Sequence, residues 1–368
     1  MRKPRRPLAR RHIVLTRPGA SVESCCDAVE QAGGRVLWQV PLIHGLICSC
    51  PGPASLAAIA GHPDVELVEP DNRVPLPRSL VQPAGRGLHL AWEEMVPWGV
   101  ARVGAPRAWA RTRGEGVRVA VIDTGVDWQH PDLAPNIRGG WNFLDPSLPP
   151  DDDNGHGTHV AGIIGARDGD GGVVGVAPRC DLYALKAFDK NGYGATSDVL
   201  LALQWCLQYD MHVVNMSFGQ DDPSPSLARA VAALETAGVV LVAAAGNDGR
   251  PDSVDYPARL PTVLAVSAVT RWDRLLRTSS RGPEIDLAAP GRDIPSLGPG
   301  GRLRVLSGTS TAAPHVTGVV ALLLSAEPGL RPGEVRRRLQ ETAERLPGLG
   351  REEQGAGLVR ADCALGAP

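Results

Sequence analysis

With 368 residues, 43% of them hydrophobic and 21% charged, the chain has ordinary globular composition and enough length for one large domain plus a small one. A net charge of −2 gives no field to attract nucleic acid, and no run of about 18 apolar residues stands out that would span a bilayer. Seven cysteines, with Cys25 and Cys26 adjacent and Cys48 and Cys50 in a CSC, have no metal-finger spacing and are odd in number, so neither a zinc finger nor a disulfide framework is expected.

Residues 1–11 are basic and free of acids, which predicts a solvated, disordered tail. The IVL that follows is far shorter than the roughly 7–15 apolar residues of a secretion signal, so the literal sequence reads as cytoplasmic, and as secreted if the start codon is misplaced. Residues 12–74 alternate short strand and helix signals: HIVLT, SVESCCDAVEQAGG, RVLWQVPLIHGLICSC, ASLAAIAG and VELVEPD. They predict a small α+β unit of split βαβ, ferredoxin-like type. Residues 75–92, rich in Pro, Gly and Arg without periodicity, read as a linker.

From residue 93 the elements lengthen. VRVAVID (117–123), DLYALKAF (181–188), VVNMSFG (213–219), GVVLVAAAGN (238–247) and TVLAVSAV (262–269) are continuous apolar runs, as expected of strands buried on both faces. Helical patterns at 196–209 and 225–237 between them imply parallel crossovers. The fold class predicted for 93–368 is α/β, a doubly wound, mostly parallel sheet with helices on both faces, and its site belongs beyond the carboxyl ends of the strands.

Polar residues gather at that edge. Asp123 ends a strand, where a partly desolvated carboxylate needs a donor. In DDDNGHGTHVAG (151–162), His156 stands between two glycines at a helix start, and His159 follows three positions on without a third ligand at a metal spacing. In SGTSTAAPHVTG (307–318), three hydroxyls open a helix in which Pro314 is tolerable only near the first turns. Ser310 is placed where helix N–H groups stabilise an oxyanion, Thr309 reads as the cap, and Thr311 as turned away.

Asp123, His156 and Ser310, in that order, together with VAVIDTGVD, NGHGTHVAG and SGTSTAAPHVTG, resemble the three signature blocks of the subtilisin-like serine proteases. The resemblance extends over VVNMSFG, VVLVAAAGND, YPA and SSRGPEIDLAAPG, and more weakly over the first 72 residues, which are similar to the family's inhibitory propeptide. It implies a serine endopeptidase made as an autoprocessed zymogen, with Ser310 as nucleophile, His156 as general base then acid, and Asp123 as orienting carboxylate. Asn247 then donates to the oxyanion beside the Ser310 amide. Ser217, Phe218, Gly219, Ala245 and Gly246 line the peptide, and Asp255 falls on the floor of the pocket for the residue preceding the cleaved bond with Asp248 near its rim, two acids that either face solvent or admit Lys or Arg there beside the usual apolar residues.

The resemblance also implies a structural calcium held by Asp132, with Asp168 or Asp170 of ARDGDGGVVG standing in where Gly169 replaces a usual side-chain ligand. The implied partners are protein or peptide substrates and the chain's own propeptide, acting on a monomer, with no nucleic acid and no membrane. Two other classes compete: a catalytically silent binding protein of the same fold, which would have no need of Asp123, His156, Ser310 and Asn247 together, and an acyl hydrolase, for which the GxSxG elbow is missing.

Overall fold

The computed structural model describes residues 11–76, 80–82 (backbone only), 95–169 and 172–367. The N-terminal unit runs β1 (Arg11–Thr16), α1 (Val22–Gln31), β2 (Arg35–Val40), β3 (Gly45–Ser49), α2 (Pro53–Ala60) and β4 (Val65–Pro70). Its antiparallel sheet has the order β2-β3-β1-β4, the ferredoxin-like arrangement expected. The Ser21 hydroxyl caps α1 by accepting from the amides of Glu23 and Ser24. Strand alternation divides its side chains between two cores. Val14, Leu46 and Cys48 pack with Cys25, Val29 and Ile59 beneath the helices, whereas Ile13, Leu15 and Ile47 enter a core shared with the larger domain.

Two short strands follow, one ending where the expected linker begins and one within it. β5 (Arg73–Pro75) and β6 (Leu80–Gln82) pair antiparallel with β10 (Tyr193–Ala195) and β16 (Arg302–Ser307). The correction has a physical reason: the larger domain offers unpaired strand edges, and an aperiodic segment satisfies its own backbone by adding to them.

After α3 (Trp98–Arg102) and α4 (Ala105–Ala108), the larger domain is built on β7 (Arg118–Asp123), β8 (Ile137–Asn142), α5 (His156–Gly165), β9 (Asp181–Lys186), α6 (Thr196–Gln208), β11 (Val213–Met216), α7 (Pro225–Thr236), β12 (Val240–Ala244), β13 (Leu264–Val269), β14 (Leu287–Pro290) and β15 (Ile294–Gly298). It closes with α8 (Thr309–Ala326), α9 (Pro332–Glu341), α10 (Arg351–Gln354) and α11 (Ala361–Leu365). Seven strands pair parallel in the order β14-β13-β12-β11-β7-β9-β8. From β7 the chain first fills one side of the sheet and then crosses to the other, so the carboxyl end of β7, Asp123, lies at the topological switch point.

Both faces are buried. Val119 and Val121 of β7 enter the core with α5 and α8, and Ala120 and Ile122 enter the core with α6 and α7. Full burial of such aliphatic side chains contributes about 1.5–3 kcal/mol each, which is why these strands read as unbroken apolar runs. β8 and β14 escaped that reading because they are edge strands, one Gly-rich and one ending in Pro290. The central helix α8 is long and apolar enough to cross a membrane by length and composition, but 83% of it is buried inside the protein.

Candidate active site

Three helix or strand ends form the site. Asp123 closes β7, and the adjoining Thr124 ties it to the start of α5. The Thr124 hydroxyl donates to Asp152 Oδ1 (2.8 Å) and accepts from the Gly157 amide (3.0 Å). Asp152 also accepts from the amides of Asn154, Gly155 and Thr158 and from the Thr158 hydroxyl, so one carboxylate organises the first turn of α5. A Cβ on Gly157 would overlap the Gly125 carbonyl oxygen, and only glycine lets the helix approach the turn this closely. The Lys186 ammonium, buried beneath the turn, donates to the Thr124 carbonyl and to Asp153.

That scaffold brings the His156 imidazole onto Asp123: Nδ1 lies 2.8 Å from Oδ1 and 3.0 Å from Oδ2. Both residues are buried, and Nε2 of His156 has no hydrogen-bond partner. Burial opposes protonation of this ring, but the charge and hydrogen bond of Asp123 override it and hold its pKa above the ordinary 6.5. His159 behaves differently. It bonds the Ile294 carbonyl through Nε2 (3.0 Å), and burial pushes its pKa down to about 3, so it is a neutral structural residue.

Ser310 is the second residue of α8, fully buried, and its helix packs directly on α5. One expectation about its neighbours is corrected. The N-cap is Gly308, with no side-chain cap, and Thr309 is already helical. Its amide (3.0 Å) and hydroxyl (3.1 Å) both donate to Asn247 Oδ1, which thus takes the capping role. With Oδ1 engaged twice, the Asn247 amide is fixed so that Nδ2 stays buried and unpartnered. The Thr311 hydroxyl donates to the Gly308 carbonyl at 2.9 Å and so braces the turn before Ser310.

The expected peptide-lining residues lie on the same side. Ser217 is buried with its hydroxyl on the Ser310 carbonyl, and Phe218 is buried against Phe188, with ring centroids 5.0 Å apart. Gly219 and Gly246 both face Asp255, and the Asp255 amide donates to the Ala245 carbonyl at 2.9 Å. Sequence reasoning missed Asn215 and Thr317. The Thr317 hydroxyl donates to Asn215 Oδ1 (2.9 Å), whose Nδ2 donates to Ser217, and this buried relay ties α8 to β11.

Of the calcium residues, Asp132 is buried against the loop at Gly172 and Val173, whose amide reaches its Oδ2 at 3.4 Å. Asp168 is ion-paired with Arg113 and Arg179. Asp170 lies outside the described residues. Among the described residues no group of three or more His, Cys, Asp or Glu is placed to hold a metal.

The subtilase family model matches residues 114–357. A thermostable alkaline protease of Halalkalibacterium halodurans is 39% identical over 326 residues, which cover 88% of this chain and 82% of that protein. Subtilisin BL of Lederbergia lenta is 43% identical over 272 residues, 74% of this chain and 99% of that protein. Subtilisin E of Bacillus subtilis is 38% identical over 327 residues, 87% of this chain and 81% of that protein. With a parallel sheet whose switch point carries an Asp–His pair, and with this extent of likeness, the chain belongs to the subtilase family.

Proposed function

We propose that the chain is a serine endopeptidase, made as a self-processing zymogen, that hydrolyses protein substrates through an acyl-enzyme on Ser310. The observation that carries the reading is the buried Asp123–His156 pair with Nε2 left without a partner, beside the N-terminus of α8. In this reading the Ser310 hydroxyl attacks the scissile carbonyl carbon and passes its proton to His156 Nε2. Asp123 fixes the tautomer and stabilises the imidazolium. Negative charge on the carbonyl oxygen is met by the Ser310 amide and Asn247 Nδ2. When the C–N bond breaks, the proton moves from His156 to the leaving amine, and water then releases the acyl group by the same steps in reverse.

The N-terminal unit serves as the propeptide. Glu69 accepts from the Ser226 amide (3.1 Å), Asp71 accepts from the Ser197 amide (2.9 Å) and hydroxyl (2.8 Å), and Arg229 of α7 reaches back to the carbonyls of Thr16 and Ile43. The chain then runs into the cleft. The Leu76 amide donates to the Gly192 carbonyl (2.8 Å) on one edge, and Leu80 pairs with Ser307, three residues before Ser310, on the other. Residues 77–79 lie outside the described residues; the pairing of Leu76 with one edge of the cleft and of Leu80 with the other supports a processing bond between the two. Calcium enters only as a structural ion, on Asp132 and loop carbonyls, because Asp168 is already neutralised by arginines. The enzyme acts as a monomer in this reading.

Intact-mass measurement tests it: wild type shortens to a fragment beginning between residues 77 and 80, and Ser310→Ala stays full length. Shortening of both would assign processing to another protease, and absence of fluorophosphonate label on the shortened wild type would overturn the endopeptidase reading.

A further inference from the structure

A cavity of about 570 Å³ opens beside Asn247, lined by Gly219, Asp221, Asn247, Asp248 and Asp255, with Leu76 of the extended segment also facing it. A peptide is thus seated against it, and the unpartnered Nδ2 of Asn247 marks the same space as the reacting end of the cleft. Asp255 closes the slot between two glycines. A Cβ on Gly219 would lie 2.6 Å from the Asp255 Cβ, and one on Gly246 would lie 2.5 Å from its Oδ2, so the walls are bare where the carboxylate reaches in.

The charges around Asp255 do not cancel. Among the described residues its carboxylate has no hydrogen bond or ion pair. Arg250 is held by Asp248, Arg259 is turned to Glu284 (3.2 Å) and the Asp252 carbonyl (3.1 Å), and Arg73, which also lines the cavity, lies over the Tyr193 ring at 3.3 Å. Burial, with Asp221 and Asp248 adding repulsion that Arg259 only partly offsets, pushes the Asp255 pKa up to about 7. A half-buried carboxylate without a partner is costly, and a cation brought in by a substrate removes that cost.

We propose that this pocket selects a basic side chain, Arg or Lys, at the residue preceding the cleaved bond, with Asp255 as the specificity-determining group. The proposal rests on the endopeptidase reading.

The test uses the mature enzyme, titrated for active sites, on two chromogenic tetrapeptide anilides that differ only in Arg or Leu before the anilide. The expected Arg:Leu ratio of kcat/KM is about tenfold or more, rises with pH through about 7 as Asp255 ionises, and falls by about tenfold with loss of that pH dependence in Asp255→Asn. A ratio cancels losses common to both substrates, and the wild-type pH profile stands even if the variant folds poorly. A wild-type ratio below one, or a ratio unmoved by the variant, overturns the proposal. Fluorophosphonate labelling of Ser310 with cleavage after Leu alone sinks this inference and leaves the endopeptidase reading intact, whereas no label sinks that reading.

Discussion

The Ser217 hydroxyl donates to the backbone carbonyl of Ser310 at 2.9 Å. The carbonyl is available because residue 314, four positions on, is proline and has no N–H to offer it. A helix defect in the second turn of α8 is thereby converted into a tether on the residue that carries the chemistry. Asn215 and Thr317 extend the tether back into the helix. Ser217→Ala removes the hydroxyl donor to the Ser310 carbonyl and leaves Asn215 Nδ2 unsatisfied in a dry interior, at a cost of about 1–3 kcal/mol. Urea denaturation in a Ser310→Ala background, where self-cleavage cannot intervene, is expected to show that loss, and an unchanged midpoint would mean that the tether carries no stability.

Asn247 offers a sharper kinetic test. Its Oδ1 is fixed by Thr309, and Nδ2 has no ground-state partner, so its contribution is reserved for the oxyanion. Asn247→Ala is expected to lower kcat by about 10²–10³ with little change in KM. Thr309→Val removes only the hydroxyl arm and keeps the amide, so a loss of about fivefold in kcat is expected, from roughly 1 kcal/mol of lost orientation. Equal losses in kcat and in substrate affinity would instead place Asn247 in ground-state binding.

These two relationships mark the limit of what could be read from the chain alone. Asp123, His156, Ser310 and Asn247 were legible because each sits in a short local pattern, a strand end or a helix start, that its own neighbours in sequence define. The central strands were legible for a related reason, since burial on both faces leaves unbroken apolar runs. Asn215 and Thr317 were not, because a polar residue inside an apolar run acquires its meaning from a partner 102 residues away. Asp152 lay hidden among three consecutive acids until its five hydrogen bonds were placed. The short strands β5 and β6 were invisible since their pairing is supplied by edges of another domain.

The Asp123–His156 pair sets a pH dependence. The general base must be neutral, and its pKa lies above 6.5 because the carboxylate's charge and hydrogen bond outweigh burial. Activity therefore falls as pH drops through a value above 6.5, and kcat/KM for a substrate with an apolar residue before the cleaved bond is expected to rise with pH to an alkaline plateau. Asp123→Asn removes the raising influence, so the inflection moves down while kcat falls on the order of 10⁴. An inflection in wild type below 6.5, measured with a substrate that does not titrate, would contradict the assigned coupling.

Docking of the N-terminal unit rests on two acids placed at helix starts. Asp71 meets Ser197 in the first turn of α6, with Arg11 at 2.8 Å on its other side, and Glu69 meets Ser226 in the first turn of α7. A carboxylate at a helix N-terminus satisfies orphan amides and complements the dipole. Losing such a cap costs about 1–2 kcal/mol. Both ends of the contact are buried, so the loss is felt as looser docking, with the separate cores left intact. In a Ser310→Ala background, Asp71→Ala is expected to speed hydrogen exchange of the Ser197 amide and of the cleft-paired Leu76 amide by about tenfold, the equivalent of roughly 1.4 kcal/mol, with amides of β12 unaffected. The coupling follows from chain connectivity: only four residues separate Asp71 from Leu76, and Asn72, one of them, accepts from the Thr196 amide at 3.0 Å. Unchanged exchange at Leu76 would show that the cleft strand is held by its pairing with β10 alone.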